Sequence, residues 1–425
     1  MRINRKNLGN RFFLLWSRFE FRLAFFCFLV HIPFIIFDAL FLPADFSKGF
    51  RATDYDVWID RTDTILDGGV LYRDTTSPCR SLPLASYFLL PPAVFGRGHI
   101  TAFEIYFSLI NVITAVMIYK TLLNRGETFA RNSAIFYAFN PLVIITSTVR
   151  VQDECIVALI FILISFFMMH GKYYIAATIL GLGIMTKPII ALLFPLLIFA
   201  KGDVREKIFR GVISIGVTLL IFSPFLYFAR EEVFEVFRGY SKYAEGTGLL
   251  ALLSDTHGYS LPITPFTILF IIAYFATCYF VIEKKFSHWF AITTILCVFF
   301  ISFTKIHASY YLYFILFASP FIVINKRLLN ELLLILPPTL TFLHRVKSRY
   351  YRGDILFLFG GILAWIIITI IVIHLLVIVL KSHNNPNISP FERIKKQENL
   401  TNILDKKTFI LAHIILIFSL VILYS

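Results

Sequence analysis

The chain has 425 residues, of which 58% are hydrophobic and only 16% are charged, and its formal net charge is +14. Soluble globular proteins are about half apolar and a quarter charged, so this composition excludes an ordinary soluble domain. Apolar runs of about 20 residues, the length that crosses a bilayer as a helix, recur along the chain. We therefore predict an all-α polytopic membrane protein, whose basic excess marks cytoplasmic loops rather than contact with nucleic acid.

The N-terminal arm, residues 1–22, carries six Lys and Arg residues against the single acid Glu20 and is predicted to be cytoplasmic. A first span at about 23–42 places the loop 43–100 outside. The proline-rich stretch 82–97 within that loop is too short to cross and is interpreted as an interfacial or re-entrant helix.

Further spans follow the outer loop, for a total of about 11–13. They are predicted at about 101–122, 132–149, 152–169, 173–186, 188–200, 208–228, 263–282, 289–304, 308–324, 328–343, 355–380 and 409–424. Basic connections alternate with less basic ones, which places the short turns at 150–154 and 186–188 outside. Residues 23–324 form the predicted catalytic membrane module, and 325–425 a C-terminal region in which we favour a crossing at 328–343.

The connection 229–262 is also predicted outside, and it has an amphipathic pattern. Its apolar residues recur at helical spacing with acids between them: Val233, Val236, Phe237, Tyr240 and Tyr243. This pattern is typical of a helix lying on the membrane surface.

The first outer loop contains six aspartates between residues 51 and 74. Most loop aspartates are simply solvated, but Asp54 and Asp56 are interleaved with Tyr55, Val57 and Trp58, which a solvated loop seldom uses. The pattern predicts a helix over 56–70, ended by two glycines, with Asp54 at its N-terminus. A carboxylate at that position can accept a proton from an alcohol or hold a cation.

The second acidic site is the turn 150–154, where Arg150, Asp153 and Glu154 separate two spans. Such charges can merely mark the membrane interface. The turn is nevertheless so short that they are expected to face a cavity in the bundle. Two acidic groups on one side of the membrane suggest a single site.

Three basic residues are predicted on the same side. Lys187 precedes Pro188 between two apolar runs, where it must snorkel, form an ion pair or bind an anion. Lys305 and His307 share a short connection that is otherwise typical of an interfacial turn with tyrosines, and both can receive a phosphate. Acids for an acceptor and bases for a phosphate indicate group transfer from a lipid phosphate.

At these residues the chain resembles the GT-C superfamily of integral-membrane glycosyltransferases. The likeness is nearest to mannosyltransferases that use polyprenyl-phosphate mannose, including those that add the first mannose in glycosylphosphatidylinositol assembly. The stretches that carry it are DYDVWIDRTDTILDGGVLYRDTTSPCRSLPLASYFLLPP, NPLVIITSTVRVQDECIVALI, GLGIMTKPIIALLFPLLI and TKIHASYYLYFILFASPF. The nearest relatives have an aspartate where this chain has Ala52, so both Asp54 and Asp56 are candidate bases.

The resemblance implies a GT-C-like bundle and an inverting transfer from a polyprenyl-phosphate sugar to a lipid-linked or glycan acceptor. Asp54 or Asp56 would take the proton of the acceptor hydroxyl, with Tyr55, Asp60 and Tyr311 in support. The leaving phosphate would be stabilised by basic residues, namely Arg150, Lys187, Lys305 and His307. No cofactor is required by this scheme, although a divalent metal at the acids is compatible with it.

Two other classes of function fit a polytopic chain. A secondary transporter or lipid flippase would use the same charges as a path, but such groups usually lie at the bilayer midplane. A non-enzymatic scaffold gives no reason for acids and bases on one face. The expected location is the cell membrane in a prokaryote or the endoplasmic reticulum membrane in a eukaryote, with the active site extracytoplasmic or luminal.

Overall fold

The computed structural model describes residues 17–41, 54–76, 79, 81–96, 99–240, 248–257, 264–350, 355–384, 410, 411 and 414. Every regular element in these ranges is a helix, which confirms the predicted all-α class. Three predicted features lie wholly or mostly outside the described residues. They are the cytoplasmic arm, the last span and Ala52, where the relatives have an aspartate.

The helices follow one another with short connections. In chain order they are α1 (Phe19–Phe41), α2 (Tyr55–Leu66), α3 (Pro83–Phe88), α4 (Leu90–Phe95), α5 (Ile100–Leu122), α6 (Glu127–Ala138), α7 (Pro141–Ile144), α8 (Glu154–Met169), α9 (Tyr173–Ile184), α10 (Phe194–Ile198), α11 (Val204–Phe228), α12 (Arg230–Tyr240), α13 (Leu249–His257), α14 (Thr264–Glu283), α15 (His288–Ser302), α16 (Tyr311–Ala318), α17 (Lys326–Asn330), α18 (Leu336–Tyr350) and α19 (Ile355–Asn384). The shorter pieces are 3-10 turns at Leu123–Arg125, Pro188–Leu193, Ala308–Tyr310 and Phe321–Val323, and π turns at Ile145–Val149 and Glu331–Ile335.

Among the described residues, five helices are long and apolar enough to cross a bilayer alone, namely α1, α5, α11, α14 and α19. A sixth candidate is the pair formed by α6 and the helix starting at Pro141, which meet at an angle of 48°. Proline has no N–H to continue a helix, and Asn140 instead caps the new one through Leu142 N at 2.9 Å. These helices confirm a polytopic membrane protein.

Other predicted spans correspond to shorter apolar helices of 10–17 residues, among them α8, α9 and α15. A 16-residue helix such as α8 is about 24 Å long, which is less than the roughly 30 Å of a hydrocarbon core. The total of 11–13 spans therefore stays a prediction. The stretch 82–97 forms the two short helices α3 and α4 instead of a single helix, and its interfacial or re-entrant placement stays a prediction.

The core of the bundle lies where α5, α8, α15 and α16 come together. Phe161 of α8 packs against Phe317 of α16, and the indole of Trp289 in α15 donates to Phe317 O at 2.9 Å. By contrast, α11 and α14 leave most of their apolar side chains exposed, as is usual for helices that face lipid. The predicted site residues Asp153 and Glu154 lie at the start of α8, at one end of this core.

The connection 229–262 contains the helices α12 and α13. Val233 of α12 is buried and packs in a small apolar cluster with Leu71 and Tyr72, which follow α2 in the chain. The predicted residue Tyr243 and the side chains of Val236, Phe237 and Tyr240 lie outside the described residues. This segment therefore contacts the first outer loop.

The C-terminal region contributes α18, which continues through Pro337 and Pro338 and packs against α19. Its residue His344 lies beside Arg150, at the end of the bundle that the sequence analysis assigned to the outside. A crossing at 328–343 stays a prediction.

Candidate active site

Asp54 occupies the N-cap position, immediately before the first residue of α2. Its side chain makes no capping hydrogen bond and is exposed, so the carboxylate is open to a ligand. The helix is fixed by Trp58, whose buried ring lies 5.8 Å from Phe103 and 5.7 Å from Phe107 of α5 between centroids. Asp54 is therefore exposed at the start of a helix that is packed against the bundle.

A lysine and two acids from separate parts of the chain meet nearby. Lys187 Nζ lies 2.8 Å from Asp153 Oδ1 and 2.7 Å from Glu154 Oε1. The two acids begin α8, and Lys187 is held extended by the following Pro188, which disfavours a helical residue before it. Their side chains are 17%, 4% and 19% exposed for Asp153, Glu154 and Lys187, so the ion pairs are largely shielded from water.

Two tyrosines complete this lysine–carboxylate cluster, Tyr310 in the turn before α16 and Tyr313 in its first turn. Lys187 Nζ lies 5.5 Å from the ring centroid of Tyr310, and Tyr310 stacks on Tyr313 at 5.8 Å. The ring of His307 meets Tyr310 edge-on at 5.3 Å. Three of the sequence segments singled out above therefore converge on one place.

The charges around Asp54 alter its acidity. Its pKa is raised above the ordinary 3.8, first by desolvation within the surrounding protein and then by the negative charge of Asp153. The positive charges of Lys187, Arg61 and Arg150 oppose this increase. Although one side of the carboxylate is exposed, protein on its other sides displaces water. An ionised aspartate with a raised pKa is a stronger base than a fully solvated one.

The lysine–carboxylate cluster contains two carboxylates but only one ammonium group. Desolvation opposes the charge of Lys187, yet Asp153 and Glu154 together raise its pKa well above 10.5. Desolvation also raises the pKa of Asp153, with Lys187 offsetting part of this effect and Glu154 adding to it. Lys187 therefore stays protonated between two carboxylates.

Arg150 follows the π turn Ile145–Val149 and occupies a different environment. Its Nη2 lies 3.5 Å from Nδ1 of His344, and these two residues line a small cavity with Thr146 and Thr341. The free space between these residues is about 10 Å³, enough for a single water molecule. Within the described part of the chain, Arg150 has no carboxylate within ion-pair distance.

The other two aspartates of α2 that we singled out have separate surroundings. Asp56 is exposed, and its charge acts on Tyr55, whose ring packs edge-on against Phe103 at 5.7 Å. Asp60 accepts hydrogen bonds from Thr76 N at 3.1 Å and the Thr76 hydroxyl at 2.6 Å, so it ties α2 to the turn that follows. Asp54, in contrast, interacts electrostatically with the second acidic site.

The site residues predicted between 303 and 311 lie in different environments in the structure. Lys305 is buried, whereas His307 is exposed beside Tyr310. Tyr311 is buried in the core, where its ring lies 4.5 Å from that of Phe300. Tyr310 and Tyr313, rather than Tyr311, are the tyrosines near Lys187.

Sequence reasoning missed two cationic side chains. Arg61 is buried on the face of α2 that also carries Asp54 and Trp58, and it donates to Ser81 Oγ at 2.7 Å. The spacing 54, 58, 61 is the signal that was available, because residues three and four apart share a helix face. His344 had no comparable local signal, since only the packing of α18 brings it to Arg150.

No group of three or more His, Cys, Asp or Glu side chains arranged to hold a metal occurs among the residues that the structure describes. Between Asp153 and Glu154, the position that a cation would take is filled by the ammonium of Lys187. The sequence-based expectation that no cofactor is required stays a prediction.

Comparison with known proteins shows similarity to mannosyltransferases. Residues 82–228 match the family described as dolichyl-phosphate-mannose-protein mannosyltransferase. The resemblance to membrane mannosyltransferases is confirmed. GPI mannosyltransferase 1 of Saccharomyces cerevisiae is 31% identical over 212 residues, which cover 47% of this chain and 50% of the yeast protein. The chain thus spans about half the length of the curated relative that it matches. The family match includes Arg150 and Lys187, whereas Asp54 and His344 lie outside it.

Proposed function

We propose that this chain is a membrane mannosyltransferase that uses a polyprenyl-phosphate mannose donor, such as dolichyl-phosphate mannose. The similarity to two kinds of mannosyltransferase supports the reaction class. The name of the yeast relative favours a glycosylphosphatidylinositol precursor as the acceptor. The observation that carries the proposal is an exposed carboxylate, Asp54, whose pKa is raised by desolvation and whose charge interacts with those of Asp153, Lys187, Arg61 and Arg150.

In the proposed reaction, Asp54 accepts the proton of an acceptor hydroxyl while that oxygen bonds to the anomeric carbon of mannose. The bond from the anomeric carbon to the phosphate oxygen breaks, and the lipid phosphate leaves with the electron pair. Attack opposite to the leaving group inverts the anomeric configuration. A positioned general base contributes about 10²- to 10⁴-fold in rate, and cationic groups stabilise the phosphate as its charge develops.

Asp54 is the preferred base rather than Asp56. Asp54 is coupled electrostatically to Asp153, Lys187 and Arg150, whereas the described electrostatic effect of Asp56 is on Tyr55. A base must lie close to the groups that bind the rest of the substrate, because the reacting atoms need to be held together. The proposed location is the outer or luminal face of a multi-pass membrane, which is the side to which the sequence assigns this end of the bundle.

The test is a transfer assay with the purified full chain in lipid vesicles and a glycosylphosphatidylinositol precursor as the acceptor. Mannose is supplied either on dolichyl phosphate or on a nucleoside diphosphate. The anomeric configuration of the product is then determined. We expect transfer from the lipid phosphate only, with inversion. Transfer from the nucleotide sugar alone would contradict the proposal. So would movement of labelled lipid across the bilayer without transfer, which would instead support a flippase.

A further inference from the structure

The turn 150–154, which supplies the charges of the second acidic site, is reached through an unusual stretch of backbone. Residues Ile145–Val149 form a π turn, in which Arg150 N donates to Ile145 O at 2.8 Å. Such a turn contains one residue more than an α-helical turn. The extra residue rotates those that follow by about 100° relative to a continuous α-helix. The direction of Arg150 therefore depends on the π turn.

The residue after Arg150 is held in a conformation that its side chain disfavours. Val151 has a φ of +48°, in the left-handed region that β-branched residues rarely adopt. Val151 is fully buried, and Gln152 N next to it donates back to Thr146 O at 2.9 Å. A strained backbone of this kind persists only where the surrounding structure holds it, and it often lies at functional sites. The strained segment 145–151 therefore needs support from other parts of the bundle.

Three buried polar side chains provide that support. Thr148 Oγ1 in the π turn lies 2.5 Å from Nδ1 of His31 in α1 and 3.2 Å from the hydroxyl of Ser108 in α5. All three residues are fully buried. Polar side chains in the interior of a membrane protein bridge helices by hydrogen bonds, because no water is present there to satisfy them. The three side chains thus join two long helices to the π turn.

The histidine contributes to this arrangement through one contact. Nε2 of His31 is buried and has no hydrogen-bond partner in the described part of the chain, which leaves the contact of Nδ1 with Thr148. A leucine at this position would fill similar space without burying an unsatisfied nitrogen, which costs free energy. The polar ring therefore acts here on the π turn.

Beyond the strained segment the chain enters the lysine–carboxylate cluster. Asp153 and Glu154 contact Lys187 at 2.8 and 2.7 Å. The charges of Arg150 and Asp153 also act on Asp54. A change in the direction of the preceding backbone would move these charges relative to the proposed base. Groups around a reacting atom must be held in place, since a displacement of about 1 Å can lower a rate about 100-fold.

We propose that His31, Ser108 and Thr148 form a latch that holds the strained segment and so positions the charges of the turn 150–154 relative to the proposed base. They are positioning residues, because they contact the π turn rather than the proposed reacting atoms. The effect of the latch on catalysis rests on the proposed function. Its hold on the strained segment rests on the contacts described above.

The first experiment compares threonine variants by mannose transfer from dolichyl-phosphate mannose and by Tm in detergent. Thr148→Val keeps the size of the side chain but removes the hydroxyl, and it should lower kcat about 10- to 100-fold. Thr148→Ser keeps the hydroxyl and should retain the wild-type kcat. The matched control is Thr121→Val, because Thr121 is also buried but its hydroxyl donates within α5, to Met117 O at 2.6 Å. This control should leave kcat unchanged and have a Tm similar to that of Thr148→Val.

A double variant tests whether His31 and Thr148 act through one contact. His31→Leu should lower kcat, and its combination with Thr148→Val should lower kcat no further than Thr148→Val alone, because both changes break the same contact. Losses that multiply in the double variant would overturn the latch. An equal loss of kcat in Thr148→Ser and Thr148→Val would also overturn it, since the hydroxyl would then have no role. If Thr148→Val does not fold, His31→Leu and Ser108→Ala provide the same comparison.

A second experiment follows the strained segment without measuring activity. Cys155 comes directly after the turn 150–154, is fully buried, and its Sγ lies 3.6 Å from Gln152 O. Thr148→Val should speed the labelling of Cys155 by N-ethylmaleimide about 10-fold, because a segment without its latch opens more often. Cys297, fully buried in α15, should be labelled at the wild-type rate. Labelling at each cysteine is measured by mass spectrometry of the full chain in nanodiscs.

The latch and the proposed function can fail separately. Faster labelling of Cys155 in Thr148→Val, in a chain that transfers no mannose, would retain the latch and reject the transferase. Labelling of Cys155 at the same rate in Thr148→Val and Thr121→Val would overturn the latch, even in a chain that transfers mannose.

Discussion

Two clusters of buried charge in this molecule resemble each other in composition but differ in what they leave available. In the outer cluster, Lys187 contacts Asp153 and Glu154, while Asp54 and Arg150 remain outside that ion-pair network. In the inner cluster, Glu331 accepts Arg327 Nε at 2.9 Å with one oxygen and contacts His374 Nδ1 at 2.6 Å with the other. Residues 331 and 344 are separated by about 20 Å along a helix, so the clusters lie at different levels of the bundle.

The comparison shows why ion pairs alone do not identify an active site. Both oxygens of Glu331 are occupied by protein groups, so the inner cluster links α17 to α19 without exposing a reactive group. The outer cluster combines a surplus carboxylate, an exposed Asp54 and the buried unpartnered oxygen Glu154 Oε2. Chemistry is expected where charge is incompletely matched, because those groups can still bind a substrate.

The largest expected effect is a loss of catalytic activity when Asp54, beside the outer cluster, is changed. Asp54→Asn removes the proposed base and should lower kcat about 10²- to 10⁴-fold without changing the size-exclusion profile. Asp56→Asn, two residues away, should lower kcat by less than about 10-fold. Both are measured by mannose transfer from dolichyl-phosphate mannose. The opposite ranking of the two variants would assign the base to Asp56.

The next effect concerns the stability of the outer cluster. Lys187→Met leaves Asp153 and Glu154 buried without their counter-ion, so we expect a loss of about 3–5 kcal/mol in stability, seen as a lower Tm in detergent. Adding Asp153→Asn and Glu154→Gln should restore much of the Tm. If the triple variant is as unstable as Lys187→Met, the charge of the two carboxylates is not the cause.

A smaller loss is expected at the inner cluster. Glu331→Gln weakens the contacts to His374 and Arg327, but Arg327 is 78% exposed, so water replaces part of what is lost. We expect a decrease of about 1–2 kcal/mol in stability with kcat and KM unchanged. A marked change in KM would indicate that the inner cluster communicates with the substrate site.

The smallest effects concern pH. Because the pKa of Asp54 is higher in the folded chain than its unfolded value of 3.8, its favourable contribution to stability is complete below that value. This contribution is lost as the pH rises through the folded pKa. Asp54→Asn should therefore show a slightly higher Tm than the wild type at neutral pH, with the difference shrinking in acid.

The same pKa predicts the acid limb of the activity profile. As the pH falls through the folded pKa, Asp54 becomes protonated and kcat/KM should decrease, with a midpoint above 3.8. The measurement is the pH dependence of kcat/KM in the wild type. A midpoint at or below 3.8 would contradict Asp54 as the titrating base.

Local patterns predicted much of the outer loop and of the helix breaks. The helix expected over 56–70 is found at Tyr55–Leu66, and Gly68 follows with a φ of +76°, a conformation that glycine adopts readily. The break at Pro188 follows from the missing N–H of proline. These features depend on neighbours within a few residues, which is why the sequence specifies them.

The sequence by itself determined the all-α membrane class, the acidic character of the first loop and the segments that carry Asp54, Arg150, Lys187 and His307. Only the tertiary structure decided which charges meet. Lys187 pairs with Asp153 and Glu154, 34 and 33 residues away, while Arg150 meets His344 across 194 residues. Helix periodicity fixes the face on which a side chain lies but not the helix that packs against that face. That choice depends on the packing of the whole bundle, and here it separated a lysine that is paired with two carboxylates from an arginine that contacts a histidine.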